Sequence, residues 1–189
     1  MKIVCFGDSN TYGYDPRSFQ GDRYPAEDRW VNILADQLGG TVVNAGENGR
    51  EIPHNRWQLA EAMGLLREEN PIDLLIIMLG TNDLLQGNSV ADIVGRMEVF
   101  LQELEGKTGK ILLIAPPNLQ LGEWVASREL TEASLELNKA YRKLADTLDV
   151  GYADAGKWNL KLAFDGVHLT QEAHRNLAEA LLHYLRKGE

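Results

Sequence analysis

The sequence predicts an α/β protein, a three-layer α/β/α sandwich built on a parallel sheet of about five strands. Three observations carry this. Short, strongly apolar runs recur along the chain, and helical stretches separate them. The runs are apolar at consecutive positions rather than alternating, as in strands buried on both faces. No linker, repeat or low-complexity stretch interrupts the alternation, so residues 1–189 read as a single domain.

The elements follow in order. Ile3-Val4-Cys5-Phe6 is a buried strand that stops at Gly7 and opens into Asp8-Ser9-Asn10-Thr11, where Asn10 or Thr11 can cap a helical turn. Asp28 to Leu38 is a helix with Trp30, Ile33, Leu34 and Leu38 on one stripe, ended by Gly39-Gly40. Thr41-Val42-Val43 is a second short strand, leading into Asn44-Ala45-Gly46-Glu47-Asn48-Gly49-Arg50. Residues 56–69 form a weakly patterned helix that stops before Asn70-Pro71. Leu74 to Leu79 is the most apolar run and reads as the central strand, breaking at Gly80-Thr81-Asn82-Asp83.

Ser89-Val90-Ala91-Asp92 has the form of a capping box, and Val90, Ile93, Val94, Met97, Phe100, Leu101 and Leu104 behind it keep helical spacing. Ile111 to Ala115 is a fourth strand. A loop of about fifteen residues follows, long enough to be a candidate binding loop. A helix from about Thr131 to Leu148, a strand at Gly151 to Ala153 and a helix from Thr170 to about Arg186 complete the chain. Leu177, Ala178, Leu181, Leu182 and Leu185 point the last helix inward, and His174 and His183 read as helix-surface residues. The expected strand order is the flavodoxin-like 2-1-3-4-5, with right-handed crossovers.

Composition narrows the function. A chain of 189 residues buries roughly 70% of its unfolded surface as one domain. With 28 acidic against 19 basic residues the net charge is −9, which argues against nucleic acid and anionic membranes as partners. No run is long enough to span a membrane, and the first strand begins too early to leave room for a signal peptide. The single cysteine excludes an intrachain disulfide framework and fits a reducing cytoplasm, with Cys5 a buried structural thiol.

In a parallel sheet every loop that follows a strand lies along one edge, where open α/β sheets bind ligands. That edge collects Gly7-Asp8-Ser9-Asn10, Asn48-Gly49-Arg50, Gly80-Thr81-Asn82-Asp83 and Asp165-Gly166-Val167-His168. A serine nucleophile needs a base, an acid to orient that base, and donors aimed at an oxyanion. Of the four histidines only His168 lies in a loop with an acid close by, Asp165, which a tight turn brings to Nδ1 while Nε2 faces Ser9. The Asn82 side chain and the backbone N–H groups of Ser9 and Gly49 can supply the donors. A histidine base must be neutral, so activity should fall at acid pH.

These four blocks, in this order, resemble the signature blocks of the SGNH (GDSL-type) hydrolases over nearly the whole chain. The resemblance implies the SGNH hydrolase fold and a cofactor-free esterase or acyltransferase. It implies Ser9 as nucleophile, His168 as base and Asp165 as orienter, with an oxyanion hole of Ser9 N–H, Gly49 N–H and the Asn82 side chain. Arg23 to Trp30 and Leu74 to Asp83 are similar to the bacterial arylesterase and acyltransferase branch, some of whose members assemble into homo-oligomers that narrow the site. Asn10 stands where the family name has leucine, and Gly46 competes with Gly49 for the second block.

Each residue also has a plainer reading. Asn82 and Asp83 can cap the turn after the third strand, with Asp83 a structural hydrogen-bonder and Asp8 a loop brace. Asp165 and His168 lack the further histidine or cysteine that a metal site needs, so no metal or cofactor is expected. Tyr12, Tyr14, Trp124 and Trp158 are candidates for an acyl pocket or for ordinary packing. There is no Gly-x-Ser-x-Gly elbow, dinucleotide fingerprint or P-loop, which argues against the α/β-hydrolase fold and nucleotide binding. The expected substrate is a small carboxylic ester of short-chain acyl or aryl type. Carbohydrate deacetylation is an alternative within the chemistry, and a non-catalytic flavodoxin-like binding module is one outside it.

Overall fold

The structure, a computed structural model, describes residues 1–18 and 20–187. Its five strands are β1 (Lys2–Gly7), β2 (Thr41–Gly46), β3 (Leu74–Met78), β4 (Lys110–Ala115) and β5 (Gly151–Asp154). They pair in parallel in the order β2-β1-β3-β4-β5, as the sequence predicts. The helices are α1 (Ser9–Tyr12), α2 (Trp30–Leu38), α3 (Arg56–Glu68), α4 (Thr81–Leu85), α5 (Val90–Leu104), α6 (Arg128–Leu148) and α7 (Gln171–Lys187).

Successive strand residues feed opposite cores because side chains alternate across a sheet. Val4, Phe6, Leu75, Ile77 and Leu113 pack with α3, α5 and α6 through Leu66, Phe100 and Tyr141. Ile3, Cys5, Ile76, Met78, Leu112 and Ile114 pack with α2 and α7 through Trp30, Leu34 and Leu177. A strand sandwiched in this way has no polar face, which is why the runs read as continuously apolar. No helix among the described residues is long and apolar enough to cross a membrane.

Boundaries moved where capping decided them. Ser89 caps α5 as expected, its hydroxyl accepting the Asp92 N–H. The helix expected from Thr131 begins at Arg128 instead, because Ser127 accepts the Leu130 N–H. That leaves residues 116–127 as the long loop. The helix expected from Asp28 begins at Trp30, since Ala26–Asp28 form a separate 3-10 turn and Arg29 is extended. Asp28 joins α7 instead, accepting from Gln171 Nε2 at 3.0 Å and from Arg175.

His174 is a correction: it is fully buried on the core side of α7, its ring edge-on to Tyr24 at 5.5 Å. It lies one turn before Leu177 and Ala178, so helical spacing puts it on the inward stripe. Burial pushes its imidazole down to about 3, so it stays neutral. His183 is exposed, as expected.

Candidate active site

Ser9 opens the short helix α1 directly after β1. Asp8 caps this turn by accepting the Asn10 N–H at 2.9 Å, a role the sequence suggested for Asn10 or Thr11. Trp30 Nε1 donates to Asn10 O at 2.9 Å and Asn44 Nδ2 to Thr11 O at 2.9 Å, tying the turn to α2 and β2.

His168 comes from the loop before α7. Its Nε2 lies 3.0 Å from Ser9 Oγ across 159 residues of sequence, and its Nδ1 lies 2.7 Å from Asp165 Oδ2. The other Asp165 oxygen accepts the N–H groups of Val167 and His168 at 2.9 and 3.0 Å, the tight turn that the spacing suggested. All three side chains are buried, at 6% exposure for Ser9, 4% for His168 and 1% for Asp165. Burial alone would raise the Asp165 carboxyl, but the bonds from the His168 side chain and the two N–H groups outweigh it and hold the group low. It therefore stays ionised and fixes the proton on Nδ1, leaving Nε2 free to accept from the serine.

Burial also acts on Asp8, pushing its carboxyl from 3.8 up to about 6 against the lowering effects of the Asn10 N–H, His168 and Arg50. The unfolded chain releases this proton near pH 4. Between about pH 4 and 6 the native state therefore binds more protons than the unfolded one, and stability falls as pH rises through that window. Asp8→Asn keeps an acceptor at the cap. Its Tm should exceed that of the wild type at pH 7.5, with the gain vanishing below pH 4. Equal Tm values at pH 7.5 would refute the assigned cost of a buried carboxylate.

Two glycines compete for the second donor position. The Gly46 N–H is used by Asn44 Oδ1 at 2.9 Å, and a Cβ there would lie 2.2 Å from Tyr12 N. Gly49 has φ +75 and open space above it, and no acceptor among the described residues takes its N–H. Asn82, in α4, donates from Nδ2 to Arg50 O at 2.9 Å. An amide nitrogen carries two hydrogens, so one remains for a ligand.

Sequence reasoning missed what holds this rim. Arg50 donates to Gly7 O at 2.9 Å, to Ala45 O and to Glu47, with its guanidinium over the Phe6 ring. Arg96, on α5, contacts Asp83 Oδ1 at 3.0 Å and Glu51 Oε2 at 3.4 Å, while Asp83 Oδ2 accepts the Ile52 N–H at 3.1 Å. The residues following Gly49 and Asn82 are thereby clamped together. Glu51, His54 and Asp83 are the described residues best grouped for a metal, with donor atoms within 4.8 Å of one another. The Arg96 guanidinium already occupies the space between those carboxylates, so the cation there is part of the chain. No local pattern announces these arginines.

Of the four candidate pocket aromatics, two flank the imidazole. Tyr14 lies 4.7 Å and Trp124 5.2 Å from the His168 ring, centroid to centroid. Tyr12 packs under Arg23 and Trp158 against the α2–α7 core. Trp124 is delivered by the 116–127 loop, which pairs with the histidine loop: Trp124 N donates to Asp165 O, Glu123 N to Phe164 O and Gln120 N to Gly166 O. The approach needs glycine, since a Cβ on Gly122 would lie 2.4 Å from Asp165 C. Trp124 keeps 54% of its surface exposed, so its indole borders the imidazole while remaining open to solvent.

An acidic group, an imidazole and a buried hydroxyl joined by hydrogen bonds, with uncommitted backbone and amide donors on the loops that follow β2 and β3, can perform acyl transfer through a covalent ester. Comparisons agree with this chemistry. The GDSL-like Lipase/Acylhydrolase family matches residues 5–175. A protein from Agrobacterium tumefaciens str. C58 assigned as an arylesterase is 32% identical with a TM-score of 0.87, the match covering 98% of each chain. The M. smegmatis aryl esterase is 28% identical with a TM-score of 0.85, again over 98% of each chain. Est24, a carbohydrate acetylesterase from Sinorhizobium meliloti, is 27% identical with a TM-score of 0.87, over 100% of this chain and 99% of that one. No curated protein matches the sequence. Matched along nine-tenths of its length, the chain belongs to the GDSL-like lipase/acylhydrolase family and is a carboxylic ester hydrolase.

Proposed function

We propose that the protein hydrolyses small carboxylic esters, of aryl or short-chain acyl type, through an acyl-enzyme on Ser9. The observation that carries this is the buried hydrogen-bond chain from Ser9 Oγ through His168 to Asp165, at 3.0 and 2.7 Å. Ser9 Oγ attacks the ester carbonyl while its proton passes to His168 Nε2. The Ser9 and Gly49 N–H groups and the free Asn82 amide hydrogen receive the oxyanion. Collapse breaks the ester C–O bond, and the leaving alkoxide takes the proton from His168. Water then attacks the acyl-enzyme by the same route in reverse, releasing the acid and restoring the serine. A second alcohol in place of water would give acyl transfer.

The aromatic rings of Tyr14 and Trp124 against the imidazole favour an aryl or small apolar ester, and the M. smegmatis and A. tumefaciens neighbours support that reading. The Est24 neighbour supports acetylated carbohydrate as the second reading. One ester panel separates them: turnover should be faster on phenyl and p-nitrophenyl acetate than on acetylated glucose. Turnover confined to the sugar would reassign the substrate. Absence of fluorophosphonate labelling at Ser9 would defeat the serine mechanism altogether. The lone, buried thiol of Cys5 supports a cytoplasmic setting, and homo-oligomerisation, expected from the family, is read by light scattering.

A further inference from the structure

The base and the nucleophile come from opposite ends of the chain, and Asn10 bridges them. Its Nδ2 donates to Val167 O at 3.1 Å and its Oδ1 accepts the Leu169 N–H at 2.8 Å. It therefore grips the backbone on both sides of His168 while being the immediate neighbour of Ser9. Asn10 is 3% exposed, and Trp30 holds its carbonyl in place. The amide orientation is dictated by its partners, since a carbonyl can only accept and an N–H only donate.

We infer that Asn10 is a positioning residue for the catalytic base, a two-point latch that sets the distance between His168 Nε2 and Ser9 Oγ. The inference rests on the esterase reading above. Other bonds of the histidine loop act elsewhere. Ala163 N to His168 O and Thr170 N to Lys161 O stay within the loop, and the bonds from residues 120–124 reach Phe164 to Gly166. Among the described residues, apart from the Ser9–His168 contact itself, the hydrogen bonds from the nucleophile turn to residues 167–169 come from Asn10. Two attachments, one on each side, hold the backbone that carries the imidazole, while Asp165 orients the ring. Because Ser9 and Asn10 are consecutive, one short turn carries both the hydroxyl and the grip on the histidine loop.

The contact as this chain makes it admits few substitutes. The latch needs a donor and an acceptor on one short, rigid side chain. Leucine, the residue in the family name, offers neither and would leave a buried C=O and a buried N–H unpaired. Aspartate offers two acceptors and no donor at neutral pH.

Asn10→Ala and Asn10→Leu test this on the full chain. In both, kcat on p-nitrophenyl acetate and the rate of fluorophosphonate labelling should fall together by roughly 10- to 100-fold, the scale of loss for a misplaced catalytic group. KM should stay within about threefold, at a temperature where circular dichroism shows the variants folded. A merely structural residue would lower Tm without moving the labelling rate of folded enzyme. The proposal is overturned if the folded alanine variant keeps kcat within about twofold, if KM alone rises, or if kcat falls while labelling does not. Should neither variant fold, Asn10→Asp carries the test, since it keeps the volume and the acceptor for Leu169: wild-type kcat there overturns the latch, and a joint fall in kcat and labelling supports it. The low-field proton resonance of His168 Nδ1–H gives a reading independent of turnover, and should broaden or shift in the variants. An unlabelled wild type would defeat the esterase reading; an unchanged resonance in the variants would defeat the latch.

Discussion

Ser9→Ala should lower kcat on p-nitrophenyl acetate by on the order of 10⁴-fold or more, the scale seen when a serine nucleophile is deleted from a working triad. The size follows from geometry. A buried hydroxyl 3.0 Å from a base whose other nitrogen is held by an ionised carboxylate has no substitute nearby. What remains in the variant is binding and the oxyanion donors, which alone give a small fraction of the rate. His168→Ala should lose a similar amount, and the double variant little more, because the two act as a unit. Stability should change little in Ser9→Ala, since Asp8 caps the turn and neither Trp30 nor Asn44 bonds to the serine side chain. Activity in Ser9→Ala within tenfold of wild type, measured on protein purified free of host esterases, would sink the proposed mechanism.

Asn82→Ala should cost about 10²–10³-fold in kcat with KM nearly unchanged, the usual effect of removing one preorganised oxyanion donor. The split between kcat and KM is the informative part. A donor that meets the oxyanion only as charge develops contributes to the transition state and not to ground-state binding. The Asn82 amide also donates to Arg50 O, so the variant loosens the segment that follows Gly49. Asp83 and Arg96 stay in place and continue to hold Glu51 and Ile52, which limits that second effect. A variant with unchanged kcat would remove Asn82 from the oxyanion role; one with raised KM and intact kcat would make it a substrate-binding group.

How much was legible depended on how local the determining interaction is. The strands at Ile3, Leu74 and Ile111 were readable because a strand covered on both faces must be apolar at each position, and no alternative element has that pattern at that length. The α5 capping box was readable because the accepting hydroxyl and the donating N–H lie three residues apart. The start of α6 is set by an equally local cap at Ser127, which begins the helix at Arg128, three residues ahead of the expected Thr131. His174 is polar yet buried, because its position one turn before Leu177 and not its polarity decides which face of α7 it takes. The short helix α4 was read as a break, because Gly80-Thr81-Asn82-Asp83 looks like turn chemistry and its burial against the rest of the fold leaves no sequence pattern.

The candidate site divides in the same way. Asp165 and His168 form a contact within one turn, so spacing sufficed to pair them. Tyr14 and Trp124 carried no local sign that distinguished them from Tyr12 and Trp158. Only the pairing of the 116–127 loop with the histidine loop brings Trp124 to the imidazole.

By itself the sequence determined the α/β alternation, the four blocks along one edge of the sheet and the residue types suited to acyl transfer. Those properties follow from hydrophobic periodicity, short-range hydrogen bonds and the one-directional run of a parallel sheet. Tertiary structure alone decided that Arg96 ties together the segments following Gly49 and Asn82, and that Asn10 grips the loop of His168. Each is a directional bond between segments tens to more than a hundred residues apart, and its existence depends on distances of a few tenths of an ångström that no pattern of residue types encodes.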